Sequence, residues 1–286
     1  MRTVVVLALL ERRDMPVPVR RPSDRSSARQ GYSLSYLRSH VKRVAIFCRH
    51  HILPILFPTH CPVCHKILPY GDFVHEACLA KLPFIYGPVC YHCGKPIGRA
   101  EQELCFDCRI FPKSFRRGRS LLLYNEVSKP AMMRLKYKND RIIADFFADL
   151  ILRHHANVLR SWQIDAIVPV PIHKIKKRMR GYNQAGLICQ YLALSLNLPY
   201  YPDMLLRTVN TLPQKKFTAQ ARLNNLEKAF CLNPKYQHLA PRLRHVLLVD
   251  DIYTTGATME ACSRVLLRGG VSNVFIYTIC IGVSRD

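Results

Sequence analysis

Between His245 and Met259 the chain reads HVLLVDDIYTTGATM, which brings two adjacent carboxylates, three threonine hydroxyls and a glycine within nine residues of one another. Val246–Val249 is a continuous apolar run of the kind that fills the centre of a parallel sheet. Asp250 and Asp251 then fall at its carboxyl end, where open α/β sheets bind ligands. Two carboxylates beside a buried strand are costly unless polar groups meet them, and hydroxyls of a bound ligand would do so. Thr254, Thr255, Gly256, Ala257 and Thr258 follow, with Gly256 free to take a positive φ and let the backbone approach a ligand closely. Helical periodicity starts at Met259, so the N–H groups of the turn and of the first helical residues converge on one point, a natural anion site. Hydroxyl-binding carboxylates next to an anion-binding turn describe a sugar-phosphate site.

A second chemistry is written in the cysteines. Of twelve, eight lie between residues 48 and 108. Cys61-x2-Cys64, Cys90-x2-Cys93 and Cys105-x2-Cys108 are three CxxC pairs, and His75-x2-Cys78 is a fourth pair with one imidazole. A two-residue gap lets both side chains of a tight turn reach one tetrahedral ion, which is the signature of structural zinc. Chain order assigns Cys61, Cys64, His75 and Cys78 to one ion and Cys90, Cys93, Cys105 and Cys108 to another. The first shell has His60 and His65 as alternative imidazoles, so one or two zinc ions are expected. A thioredoxin-like role would need its CxxC near a βαβ pattern, which is missing here. Cys48, Cys189, Cys231, Cys262 and Cys280 sit among apolar neighbours and read as core residues.

The positioning elements follow from periodicity. Ser120–Tyr124, Ile164–Val170, Val246–Val249 and Val274–Ile279 read as strands. Val127–Tyr137, Ile142–His154, Gly181–Leu196 and Met259–Leu267 read as helices. Their alternation predicts βαβ units and a parallel sheet. Upstream, residues 1–33 are rich in Arg, Pro and Ser and read as a disordered basic arm. Residues 34–57 carry Leu34, Leu37, Val41, Val44, Cys48, Ile52 and Ile55 at helical spacing and read as an amphipathic helix. Residues 58–110 make a double zinc ribbon, and 115–286 the α/β domain.

The 286 residues carry a formal charge of +24. Residues 1–50 hold eleven Lys/Arg against three acids, 51–110 hold five against five, and the remainder twenty-seven against eleven. The ribbon segment is neutral, and the excess lies in the arm and the α/β region, at Lys113–Arg119, Arg134–Arg141 and Lys174–Arg180. Such clusters attract polyanions. No apolar run approaches the ~18 residues of a transmembrane helix. Thr3–Leu10 is apolar, but Glu11-Arg-Arg-Asp14 follows at once without a small-residue cleavage site, so no secretion signal is read.

Leu248–Thr258 resembles, at every position, the PRPP-binding signature of type I phosphoribosyltransferases. That resemblance implies that Asp250 and Asp251 hold the ribose hydroxyls, that Thr254, Thr255, Gly256, Ala257 and Thr258 cradle the 5′-phosphate, and that PRPP binds with Mg²⁺. Val168-Pro-Val-Pro-Ile-His-Lys174, leading into Arg178-Met-Arg-Gly-Tyr-Asn-Gln184, is similar to the ComF family, whose members read VPVP, a basic stretch, then RGFNQ. Tyr124, Leu135-Lys136-Tyr137-Lys138, Gln214, Arg222, Asn225 and Phe230 fall where that family has comparable residues, and so do the zinc knuckles. The resemblance covers about residues 55–283, departing at His75, where a cysteine is usual, and at Tyr182 in place of Phe. It implies a type I phosphoribosyltransferase-like α/β domain behind a small zinc-ribbon module. It further implies His173, Lys174 and Lys176 as pyrophosphate-loop candidates, and Lys215, Lys216 and Arg222 as cations of a mobile loop. The family's association is with natural transformation and the use of DNA. The expectation is therefore a cytoplasmic DNA-uptake and utilisation protein that binds PRPP or a related phosphosugar, with single-stranded DNA and DNA-uptake proteins as partners. The alternatives are an active phosphoribosyltransferase on an unidentified acceptor and a PRPP-sensing regulator.

Overall fold

The computed structural model describes residues 59–69, 71–209 and 226–283. The expected arm, the helix at 34–57 and the loop candidates Lys215, Lys216 and Arg222 lie outside these residues. Packing divides the chain into two compact units, residues 1–78 and 79–286.

In the first unit Cys61–Lys66 forms a knuckle: the Cys61 N–H donates to the Lys66 carbonyl at 2.8 Å, and the His65 N–H to the Cys61 carbonyl at 2.9 Å. His65 takes φ +61° to close it. A short helix, α1 (Glu76–Leu79), follows. In the second unit Cys90–Lys95 repeats the knuckle with the same pair of bonds, 2.7 and 2.9 Å. Here Gly94 takes the positive φ. Helix α2 (Phe106–Ile110) holds Cys108 on its buried side.

Beyond the ribbon come β1 (Arg117–Leu123), α3 (Lys129–Tyr137), α4 (Ile142–Ser161), β2 (Ala166–Pro169), α5 (Lys174–Arg180) and α6 (Gln184–Leu196). They are followed by β3 (Leu205–Arg207), β4 (Phe230–Leu232), β5 (His245–Tyr253), α7 (Ala257–Arg268) and β6 (Asn273–Ile281). Strands β1, β6, β5 and β2 form a four-stranded sheet in that order, every pair parallel, and β3 and β4 make a separate antiparallel pair. The domain is thus α/β with a parallel sheet, as the alternation of patterns implied.

The sheet is buried on both faces, which is why its strands are continuous apolar runs. On one face α4 and α6 pack together, Trp162 stacks on Phe275 with centroids 5.0 Å apart, and the His155 ring meets the Tyr277 hydroxyl at 2.6 Å. Burial of that histidine beside Arg119 lowers its pKa to about 4. On the other face Ala166, Val168, Val246, Leu248, Val274 and Ile276 share one apolar cluster with Met259 and Cys262 of α7 and with Cys90, Cys93, Cys105 and Cys108. The second knuckle therefore roofs the sheet. Two missing side chains permit the contact: a Cβ on Gly94 would meet the Arg119 Cα at 2.8 Å, and one on Gly118 the His92 carbonyl at 2.9 Å.

Several elements differ from the periodicity: α4 continues past His154 to Ser161, and β1 starts at Arg117 rather than Ser120. The helix expected from Gly181 to Leu196 begins at Gln184, while the preceding basic stretch is a helix of its own, α5. Gly181, left-handed at φ +77°, closes α5, and the extended Asn183 starts α6. Strand β5 runs to Tyr253 rather than stopping at Val249, so the two aspartates lie within its last turns of pleat. The β3–β4 pair has no signal in either segment alone, because three residues are too few for a period.

Candidate functional site

The carboxyl ends of β5 and β2 lie side by side, with Pro169 paired to Val249 and the Val170 N–H donating to the Val249 carbonyl at 2.8 Å. This register puts Asp250 and Asp251 beside the segment Pro171–Lys174. Asp250 is partly buried, accepts the Asp251 N–H at 2.8 Å, and has its carboxyl pushed up to about 7 by burial and by the charge of Asp251. The Asp251 carboxylate meets the Lys136 ammonium at 3.1 Å, with only 14% and 20% of the two side chains exposed. The Cys189 and Cys262 thiols are deeply buried and pushed up by that burial and by Asp250.

Gly256 follows with φ +76° and caps α7, leaving Thr254 and Thr255 exposed and Thr258 half-buried. The Thr255 hydroxyl accepts the Ala257 N–H at 3.5 Å. A Cβ on Gly256 would collide with the ring and hydroxyl of Tyr253. Side-chain crowding, as well as φ, thus excludes other residues there.

Two cations act on the acidic pair, and two more neighbour them. Lys176 is held below its ordinary pKa by burial and by Arg207, Arg180 and Lys136, and Asp250 in turn feels Lys136 and Arg207. Of these four, sequence reading put forward only Lys176 as a contact, with Arg207 at the start of the segment that resembles a mobile loop. Lys136 stands on α3, Arg180 at the end of α5 and Arg207 on β3, positions that no local spacing connects. Lys136 and Arg180 do lie in the two segments compared with the ComF pattern, and that was the available signal. His173 is half-buried and accepts the Ile175 N–H at 3.3 Å at the start of α5; Lys174 is exposed. Lys174 and Lys176 thus sit on a helix, with His173 at its N-cap.

Those two segments are bolted together. The Tyr182 hydroxyl donates to the Leu135 carbonyl, the Arg180 guanidinium lies 5.0 Å from the Tyr137 ring, and the Asn183 amide donates to the Val170 carbonyl at 2.9 Å. The tether fixes the end of α3, and hence Lys136, over the acidic pair. A phenylalanine at 182 could not make the first of these bonds, so the tyrosine is an addition rather than a neutral exchange. A cavity of about 520 Å³ opens alongside, lined by His173, Tyr182, Asn183, Tyr200, Leu205 and Arg207 among others.

The cysteines resolve into two sets, each with its ligand atoms within 4.8 Å of one another: Cys61, Cys64, His75 and Cys78, and Cys90, Cys93, Cys105 and Cys108. His75 completes the first. His60 and His65 lie outside the set, their rings 4.9 Å apart, and His65 is occupied in closing the knuckle. The His75 Nδ1 lies 3.3 Å from Cys64 Sγ while its Nε2 faces the Ile67 carbonyl at 3.1 Å, the backing that a zinc-bound imidazole requires. In the second set Cys93 Sγ and Cys105 Sγ are 3.6 Å apart. Tetrahedral Zn–S bonds of ~2.3 Å would give a sulfur separation of about 3.8 Å. All four of these thiols are buried, and the sulfurs around Cys90 hold it well below the ordinary thiol range, so it is readily a thiolate. Both donor sets suit structural zinc, with no open position for a reacting ligand.

Fold and site define the class: a zinc-ribbon protein whose parallel α/β domain carries an acidic pair and an anion-type turn at its carboxyl edge. Residues 52–109 match the double zinc ribbon domain model. The chain is 31% identical to competence protein F of Haemophilus influenzae over 193 residues, which is 66% of this chain and 83% of that protein. It is 29% identical to the DNA utilization protein YhgH of Escherichia coli over 226 residues, 78% of this chain and 97% of that one. With competence protein ComFC of Bacillus subtilis it shares 28% over 220 residues, 74% and 86% of the two chains. The chain belongs to the ComF family.

Proposed function

We propose that this protein serves DNA uptake and utilisation from the cytoplasmic side, through a phosphoribosyltransferase-type site that binds PRPP or a related phosphosugar with Mg²⁺. The relatives named for competence and for DNA utilization support the first half. The second half is carried by one observation: an acidic pair at the end of β5, next to the Thr254–Thr258 turn, has the Lys136 ammonium on Asp251 and the charges of Lys136 and Arg207 acting on Asp250, with Lys176 and Arg180 neighbouring those two cations. In this reading Asp250 and Asp251 accept hydrogen bonds from the ribose diol, the turn donates N–H and hydroxyl groups to the 5′-phosphate, and the four cations meet pyrophosphate. Lys215, Lys216 and Arg222 are further candidates for that contact. Mg²⁺ bound with the phosphosugar would supply further positive charge to the leaving pyrophosphate. No nucleophilic residue is needed, because positive charge on the sugar and negative charge on pyrophosphate are stabilised by groups already in place.

The test is calorimetric titration of PRPP with Mg²⁺ into the wild type and the Asp251→Asn variant. Loss of a charge-assisted acceptor should weaken binding by ~1.5–3 kcal/mol. A wild type that takes up no PRPP, or a variant that binds equally, refutes the site. A second reading, turnover on an acceptor, is favoured by the 520 Å³ cavity beside the cations, a size suited to a small molecule. Pyrophosphate release in the presence of candidate acceptors decides it, and PRPP binding without turnover would leave a PRPP-sensing role.

For the DNA half, the net charge of +24 predicts sequence-independent binding of single-stranded DNA that weakens steeply with salt. Affinity that holds constant across a several-fold rise in salt would rule out this electrostatic contact and leave contact through DNA-uptake proteins.

A further inference from the structure

The ring of Tyr253 fills the space between the second cysteine set and the phosphate-type turn. It is the last residue of β5, 3% exposed, and belongs to the apolar cluster that contains Cys90, Cys93, Cys105 and Cys108. On the opposite side its ring and hydroxyl occupy the place where a side chain on Gly256 would project. Its backbone is pinned as well: it pairs with Ile281, and its carbonyl accepts the Gly282 N–H at 2.8 Å. The next residue, Val283, lines a small cavity of about 130 Å³ with Lys95, Cys105 and Phe106. Burial raises the Tyr253 phenol, and the four sulfurs add to that rise, with Cys93 and Cys108 ahead of Cys105 and Cys90. The ring shares one packed cluster with all four cysteines.

The knuckle is equally constrained. Gly94 and Gly118 bring its backbone against β1 with no room for a methyl group, so its shape is transmitted to the sheet edge without slack. A metal site of four thiolates folds its segment only while the ion is bound. With the metal gone, the wall behind Tyr253 loses its fixed shape, and the tyrosine no longer has one rotamer in which to sit.

We propose that Tyr253 is a positioning residue that couples the Cys90–Cys93–Cys105–Cys108 metal site to the Gly256 turn, so that zinc in the ribbon sets the order of the turn and its grip on a phosphate group. The part concerning phosphate rests on the function proposed above; the coupling of metal to turn does not.

The experiment uses the full chain and reads amide hydrogen exchange in peptides covering residues 253–260, with PRPP titration as a second arm. Chelating the zinc should speed exchange in the turn at least tenfold while peptides from α6 stay protected. Tyr253→Ala should speed it to the same degree with the zinc content unchanged, and Tyr253→Phe, which keeps the ring, should stay near the wild type. The alanine variant should also bind PRPP at least tenfold more weakly. Turn exchange indifferent to both chelation and Tyr253→Ala overturns the proposal, as does an alanine variant that binds PRPP as the wild type does. A wild type that ignores PRPP would remove the phosphosugar function and leave the exchange result to decide the coupling.

Discussion

Asp250→Asn should make the protein more stable and its site useless, and the stability gain should grow from about pH 4 and be complete above pH 7. The carboxyl is raised from its ordinary 3.8 to about 7 by burial and by the charge on Asp251, with Lys136 and Arg207 opposing. The folded state therefore holds this proton more tightly than the unfolded chain does. Stability is at its full value near pH 4, falls as pH rises, and has lost the whole contribution once pH passes 7. At ~1.4 kcal/mol per pH unit, a rise from 3.8 to about 7 corresponds to ~4 kcal/mol. Asp250 keeps some contact with solvent, so about 2–4 kcal/mol is the expected range. Asparagine keeps the size and the Oδ1 that accepts the Asp251 N–H, while it removes the charge. Urea unfolding of the wild type and variant should coincide below about pH 4, diverge progressively between pH 4 and 7, and differ most above pH 7. A gain of 2–4 kcal/mol there is roughly 4–15 °C in Tm for a protein of this size. A variant less stable than the wild type at pH 8, or one whose gain is the same at every pH, would refute the reasoning. The strain is what a ligand site built from like charges is expected to store.

Two further outcomes follow from neighbouring features. Lys136→Met leaves the paired carboxylates without their nearest cation, which should destabilise the protein by about 1–3 kcal/mol at pH 8 and by less as Asp250 takes up a proton on going below about pH 7; no pH dependence in the difference would show that Lys136 acts only through packing. Purified protein should carry close to two zinc ions by metal analysis, and Cys105→Ser should lose one and destabilise the second knuckle; one ion in the wild type would mean that the His75 set is not filled.

Much of the molecule was legible without coordinates because the signals are local. Two-residue gaps put two ligands on one turn, so CxxC and His75-x2-Cys78 marked the knuckles, and a β-branched run followed by Asp-Asp and Thr-Thr-Gly marked a strand, an acidic edge and a helix start. Burial of the sheet on both faces made its strands unmistakable as apolar runs. Other features had no local trace. Whether His60, His65 or His75 completes the first metal set depends on which ring the chain folds back to, and the recurrence of a positive φ at His65 and Gly94 shows why His65 is spent on backbone geometry instead. Helix α5 was missed because Lys174–Arg180 is basic with only Ile175 and Met179 apolar, and the helix start expected at Gly181 is instead the residue that closes α5.

What tertiary structure alone decided is the electrostatic environment of the acidic pair and the placement of the ribbon. Lys136 and Arg207 are separated by tens of residues, and their meeting around Asp250 and Asp251 depends on the Tyr182–Leu135 tether and on the β3–β4 pair. The second knuckle lies against the sheet because Gly94 and Gly118 both lack a side chain at the point of contact. Residue type and spacing fix which groups can bind zinc or a phosphate, since those chemistries need only a turn. Charge shifts and couplings between sites depend on distances through space, and these are set by packing over the whole domain.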